Sequence, residues 1–85
     1  MKILTSTKEY NVAIVGISSL DNSLHIEITD AELNDVFSTF SNPSETKKIE
    51  RVWDGGEKDE FYGYTKFKFI NQLYDGHIVV ALARG

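Results

Sequence analysis

Two histidines are the side chains of this chain best suited to proton transfer near neutral pH. His25 and His77 lie in separate strand-like runs, with no HExxH motif and no paired acidic partner nearby in the sequence. A general base would also need a nucleophile and an orienting group, and no such arrangement is visible. We therefore interpret both as exposed strand or turn residues and expect that the protein is not an enzyme.

A run of acidic side chains could supply oxygen ligands to calcium. Asp54, Glu57, Asp59 and Glu60 lie close together, but an EF-hand needs ligands at alternating positions, glycine at position six and glutamate at position twelve. That spacing is absent. We interpret Asp54–Glu60 as a mobile, exposed hairpin loop without metal, and the sequence predicts no cofactor.

The segment 16–19, Gly-Ile-Ser-Ser, follows a strand, as a phosphate loop or a nucleophile elbow would. It lacks the GxxxxGK[ST] and GxSxG patterns, and a hairpin rather than a helix is expected after it. The chain has no cysteine, which excludes a thiolate metal site and a cysteine nucleophile. These absences leave no catalytic motif in the sequence.

Aromatic and lysine residues alternate between positions 61 and 69, as in a single-stranded nucleic-acid platform. The RNA-recognition consensus fails at two positions, and a net charge of −4 argues against nucleic acid as a partner. The alternation places Tyr62, Tyr64, Lys66 and Lys68 together on one face. Because tyrosine is enriched at binding hot spots, Tyr62 and Tyr64 are predicted protein-interface residues.

The elements that position these residues follow from hydrophobic periodicity. Alternation predicts strands over Tyr10–Ile17, which should be central, and over Leu24–Ile28, joined as a hairpin. A further strand with an irregular register is expected over Thr46–Trp53. The segment Phe61–Arg84 predicts a hairpin turning at Asp75-Gly76, with Phe69 opposite Leu82.

One helix of about three turns is predicted after the first hairpin. Thr29 and Glu32 form a capping-box pattern, and Asn42-Pro43 marks the end of the helix. We expect the core to contain the following residues: Val12, Ile14, Leu24, Ile26, Ile28, Leu33, Val36, Phe37, Phe40, Ile49, Phe67, Phe69, Leu73, Ile78, Val80 and Leu82.

The predicted helix carries an acidic face that includes Asp30, Glu32 and Asp35. Between positions 9 and 46 there are seven acidic residues and no lysine or arginine. These acids would complement the helix dipole and keep the surface soluble, or they would form a docking surface for a basic partner. The sequence leaves both interpretations open.

Eighty-five residues are enough for one domain, 1–85, and no run of about 18 apolar residues predicts a membrane span. We therefore expect a soluble α+β domain in which a small, twisted antiparallel sheet of about five strands, in the order β-β-α-β-β-β, packs on one helix.

Three short motifs carry a family resemblance: the helix end 31–38 followed by Asn42-Pro43, the strand 62–67 (Tyr-Gly-Tyr-Thr-Lys-Phe) and the closing strand 78–82. Over roughly residues 24–84 the chain resembles small open reading frames of phages and prophages of Gram-positive bacteria. The resemblance implies a virion-associated or accessory phage protein, located in the host bacterial cytoplasm or in the virion. It transfers no catalytic residue.

The function we favour from the sequence is non-enzymatic protein binding by a tail, baseplate or other virion accessory protein, with self-association through exposed edge strands possible. The alternative is an acidic, anti-CRISPR-like inhibitor of a host defence nuclease. Its helix face or its Asp54–Glu60 loop would then occupy a basic groove. The expected partner is accordingly a virion protein or a host defence effector.

Overall fold

The computed structural model describes residues 1–85 as one seven-stranded antiparallel sheet with two short helices on the chain between its third and fourth strands. The elements are β1 (Lys2–Leu4), β2 (Glu9–Ile17), β3 (Leu24–Ile28), α1 (Leu33–Phe40), α2 (Pro43–Thr46), β4 (Lys48–Val52), β5 (Lys58–Tyr62), β6 (Lys66–Gln72) and β7 (Ile78–Ala83). The strand order across the sheet is β5-β4-β1-β2-β3-β7-β6.

The α+β class is right, but the predicted sheet of five strands on one helix is wrong, because the sheet has seven strands. Strand β1 has only three residues, too few to show a periodic pattern. Strand β5 lies partly in the charged segment that the sequence analysis interpreted as a loop. Strand β2 occupies the middle of the sheet, as predicted.

The sheet is bent along β2. The first half of this strand pairs with β1, where Tyr10 is opposite Ile3, and the second half pairs with β3. The register with β3 shifts between Val12 and Ile14, which is the geometry of a β-bulge. A bulge increases strand twist, so the sheet curls around one concave face. The near-equal extents of the molecule, 30 × 29 × 27 Å, agree with this curvature.

The core lies between the concave face of the sheet and the face of α1 that packs against it. It consists of these buried apolar side chains: Ile3, Tyr10, Val12, Val15, Leu24, Ile26, Ile28, Val36, Phe40, Ile49, Tyr64, Ile78, Val80 and Leu82. The bulge reverses the alternation in β2, so Val15 points inward and Ile14 is 59% exposed. Three other predicted core residues, Leu33, Phe37 and Phe69, are also substantially exposed.

Helix α1 is shorter than predicted and begins without a side-chain cap. Its N-cap residue is Glu32, and the hydroxyl of Thr29 donates instead to the main-chain carbonyl of Asn11. The predicted capping box is therefore wrong. Asn42 caps the following helix α2, because its side chain accepts from the amide of Ser44 while Pro43 occupies the first turn.

Two hairpins share one loop geometry. In the β6–β7 hairpin the amide of Leu73 donates to His77 and the amide of Gly76 donates back to Leu73; equivalent bonds join Trp53, Gly56 and Glu57 between β4 and β5. Gly76 and Gly56 have φ of 88° and 90°. This is the three-residue loop in which the last position is left-handed and favours glycine.

The three-residue loop changes the predicted register of the last hairpin. A two-residue turn at Asp75-Gly76 would place Phe69 opposite Leu82, whereas the structure places it opposite Ala81. A second irregularity, between Phe67 and Phe69, leaves Lys68 as the extra residue of a bulge. As a result Phe67 faces the core and Phe69 faces outward.

Candidate protein-binding surface

Strands β5 and β6 form the two edges of the sheet, and β6 has a free hydrogen-bonding side. The amide of Leu73 donates to His77, so in an antiparallel ladder the hydrogen-bonded pairs continue at every second residue, through Asn71 and Phe69. The main-chain groups of Ile70 and Gln72 then point away from β7. Edge groups of this kind can pair with another strand.

The outer face of β6 is aromatic and partly exposed. The Phe69 ring is 37% exposed and contacts His25 edge to face, with ring centroids 5.6 Å apart. His25 lies opposite Gly16 on β2 and Ala81 on β7. Because these neighbours are small, the imidazole and the phenyl ring project from the outer face of the sheet. An added strand would therefore meet an apolar surface on this side.

The inner face of β6 is also apolar at its edge. Phe67 packs edge to face against Phe37 of α1, with ring centroids 5.4 Å apart. Phe37 remains 47% exposed and Leu33, one turn earlier, remains 38% exposed, while Ile70 is only partly buried. Helix α1 and β6 thus leave apolar side chains uncovered beside the free edge.

The opposite edge is charged rather than apolar. Lys58, Glu60 and Tyr62 of β5 point to solvent, and Glu60 lies 3.6 Å from the Lys48 ammonium group. Charged side chains on an edge strand discourage further pairing. Strand β6 also exposes Lys66 and Lys68, but Lys68 is bound to Asp21, and Phe69 and Ile70 add apolar surface, so β6 is the better suited of the two edges to take up another strand.

A polar network beside Phe69 contains a serine, a histidine and an aspartate, but it does not activate a nucleophile. The Ser23 hydroxyl lies 2.6 Å from Asp21 and 2.8 Å from Nε2 of His25. One hydroxyl proton can be donated to one acceptor only, and the carboxylate is the stronger acceptor. His25 then donates to Ser23 and cannot act as its base, and Ser23 is only 1% exposed.

Asp21 in this network also binds Lys68, with 2.5 Å between the ammonium and the carboxylate. The bonds from Lys68 and Ser23 hold the pKa of Asp21 well below its usual range. This charged pair anchors the bulge residue of β6 to the β2–β3 loop. The network therefore stabilises the N-terminal end of the edge strand.

His77 has two acidic partners, one two residues away in the sequence and one on a distant strand. Its Nδ1 lies 2.8 Å from Glu27 on β3 and 3.6 Å from Asp75 in the preceding loop. The hydrogen bond to Glu27 raises the pKa of His77. His77, interpreted from the sequence as an exposed residue without a nearby acidic partner, is thus only partly exposed and joins β3 to the loop before β7.

The predicted acidic docking face is partly used inside the molecule. Asp35 accepts hydrogen bonds from Tyr10 at 2.6 Å and from Lys8 at 3.1 Å, which lower its pKa. Burial, together with the bond to Asp35, raises the pKa of Tyr10 to about 12. Asp30 accepts a 3.3 Å hydrogen bond from Asn11, and Glu32 is exposed.

The acids of the predicted 54–60 loop are separated between a loop and a strand. Asp54 pairs with the N-terminal ammonium group at 2.5 Å, and Glu57 is exposed. Asp59 and Glu60 lie in β5, where Asp59 is bound by Arg51 and by the indole of Trp53. No group of three or more His, Asp or Glu side chains in the chain is arranged to hold a metal ion.

The two predicted interface tyrosines do not share a face. Tyr62 is 55% exposed at the end of β5 and donates a hydrogen bond to Glu60. Tyr64 is 5% exposed and packs against Phe61 and under the Arg84 guanidinium. The intervening Gly63, with φ of 80°, turns the chain and breaks the alternation, so the predicted exposed pair is wrong.

Hydrophobic periodicity did not indicate the residues that line the β6 edge, namely Ile70, Gln72, Phe37 and Leu33. A three-residue loop with glycine in its last position would have given the correct hairpin register and thus the free side of β6. No sequence signal indicated that α1 leaves Phe37 uncovered.

No helix of the structure has the length and apolarity needed to cross a membrane. No protein-family model, curated protein or solved structure matches this chain.

Proposed function

We propose that this protein is a non-enzymatic protein-binding module that takes up an extended segment of a partner as an additional strand along β6. The observation that carries the proposal is the contrast between the two sheet edges. The β6 edge has uncovered apolar side chains on both faces beside its exposed lysines, whereas the β5 edge exposes Lys58 and Glu60, with Tyr62 at its end. In strand addition the main chain supplies affinity and alternating side chains supply specificity.

The edge surface predicts the chemistry of the bound segment. Residues of an added strand would alternate between the side of Phe69 and His25 and the side of Phe37 and Leu33. Apolar side chains fit both sides at the centre of the edge, beside Phe69 and Phe37, so the segment should be extended and apolar at the positions that face them. The resemblance to small phage reading frames makes a virion tail or baseplate protein the first class of partner to test.

The nuclease-inhibitor alternative has less support from the charges. Asp35, Asp54, Asp59 and Glu60 are each bound to a cation within the molecule, which reduces the negative potential available to a basic groove. Binding of an inhibitor to such a groove would weaken steeply with salt. Binding at the β6 edge, which rests mainly on main-chain and apolar contacts, should weaken much less steeply with salt.

The direct test compares two proline variants that block one sheet edge each. Ile70→Pro removes an outward amide of β6, and Glu60→Pro removes the matching amide of β5. Random linear peptides displayed in a library would be selected on the wild-type protein and then measured against both variants. We expect Ile70→Pro to lose binding by at least about tenfold, the effect of roughly 1.4 kcal/mol, and Glu60→Pro to retain it.

A second variant separates blocked binding from damaged folding. Phe69→Lys changes an exposed side chain of the same edge and should also weaken binding. Failure to select any peptide, or peptides that bind Ile70→Pro and Phe69→Lys as well as the wild type, would contradict the proposal. If host proteins are instead captured from an infected lysate at low salt only, and acid-to-lysine variants lose this capture, that result would favour the inhibitor.

A further inference from the structure

We infer that the strand that occupies the β6 edge belongs to a second copy of this chain, which pairs antiparallel through its own β6 in a two-fold symmetric dimer. This inference rests on the proposed function, because it names the partner of the same edge. It follows from the distribution of charge along β6 and from the register that the free main-chain groups allow.

The two ends of β6 carry opposite charge. Lys66 begins the strand, is exposed, and takes part in none of the ion pairs of the structure. Asp75 follows the other end and is about half exposed. Tyr74, beside it, is fully exposed, so an aromatic ring and a carboxylate stand together at this end.

An antiparallel copy brings these ends together. Ile70 and Gln72 direct main-chain groups outward, so a two-fold pairing centred on Asn71 uses both and places Ile70 of one copy opposite Gln72 of the other. Lys66 then lies near Tyr74 and Asp75 of the second copy, and the symmetry makes this contact twice. A cation near an aromatic ring and a carboxylate is a favourable arrangement.

The same pairing covers the uncovered apolar surface. Phe69 comes opposite Leu73 of the second copy on the outer face, and Ile70 comes opposite Gln72 on the inner face beside Phe37. A parallel arrangement would instead bring the two Lys66 ammonium groups to the same end. Closed two-fold pairing is also the commonest symmetry among soluble oligomers.

A charge-exchange experiment tests the inference with its own internal control. Lys66→Glu places two acids together in the dimer, and Asp75→Lys places two cations together. We expect each variant alone to raise the dimer dissociation constant about tenfold or more in sedimentation velocity. An equal mixture of the two variants should restore dimer formation, because each contact then joins opposite charges.

If the mixture forms dimers, both variants are folded. These mixed dimers should weaken in high salt, because they depend on paired charges. A wild-type protein that stays monomeric at all concentrations yet binds selected peptides at β6 would overturn the inference and leave the proposed function intact. A dimer that persists in Ile70→Pro, or that neither charge variant weakens, would also overturn it. A wild-type protein that neither dimerises nor binds any selected peptide would remove the proposed function as well.

Discussion

Arg51 on β4 donates a hydrogen bond of 2.9 Å from its guanidinium to the main-chain carbonyl of Val15, in the half of β2 that extends beyond its pairing with β1. The same guanidinium binds Asp59 and lies over the rings of Trp53 and Phe61, at 4.4 and 5.3 Å from their centroids. Its side chain is only 16% exposed. One cation thus ties together three strands of the curled half-sheet.

The first prediction concerns this cation. Arg51→Met keeps much of the apolar stem but leaves the Val15 carbonyl and Asp59 without their donor. A hydrogen bond from a charged donor contributes about 1.5 to 3 kcal/mol, so we expect the free energy of unfolding to fall by that amount in urea titrations. Lys58→Met, at an exposed lysine without an ion pair, should change it by less than about 0.5 kcal/mol. Equal stability of the two variants would refute this role of Arg51.

A second prediction tests the geometry of the hairpin loops. Gly76 has φ of 88° and its missing Cβ would meet no atom within 4 Å, so the cost of Gly76→Ala is purely conformational. We expect about 1 to 2 kcal/mol of destabilisation. Gly55 has no positive φ, and Gly55→Ala should be neutral or slightly stabilising. The two values come from urea titration, and similar losses in both variants would contradict the assigned loop.

A third prediction follows from the raised pKa of His77 beside Glu27. A pKa that is higher in the folded than in the unfolded state adds stability below the ordinary histidine value of about 6.5. That stability is lost as pH rises through the folded-state pKa. Melting temperatures of the wild type and His77→Gln should therefore differ most near pH 5.5 and converge toward pH 8.5. A difference that grows with pH would have the wrong sign for this ion pair.

The sequence predicted the elements whose side chains alternate or repeat over a long enough stretch. Strand β3 was predicted with the bounds found, because its clean alternation indicates one buried face, and β2 was predicted as the central strand from its apolar residues on both faces. Helix α1 was located from the spacing of Val36 and Phe40, both buried. These features depend on local patterns and can therefore be predicted without the tertiary structure.

The errors have tertiary causes. The bulge after Val12 exchanges the facing of Ile14 and Val15, and a single extra residue is invisible in the average alternation. Gly63 turns the chain and buries Tyr64, although Tyr62 stays exposed. The charged β5 strand was mistaken for a loop, because its pairing with β4 depends on a partner strand rather than on its own composition.

The candidate site was harder to predict than the fold, since an edge is a property of the whole sheet. The sequence indicated that edge strands would be available for pairing, but it could not say that β6 is an edge. That follows only when β3 is placed beside β7 and β1 beside β4. The uncovered Phe37 likewise depends on the angle at which α1 meets the sheet.

The measurement that tests the central claim most directly is residue-resolved amide hydrogen exchange by NMR. It would be recorded on dilute protein, on concentrated protein, and with a selected peptide. The amides of Ile70 and Gln72 should exchange rapidly in dilute protein and become protected when the edge is occupied, while those of Lys58 and Glu60 remain unprotected. Protection confined to β5, or no protection of Ile70 and Gln72 under any condition, would contradict binding at the β6 edge.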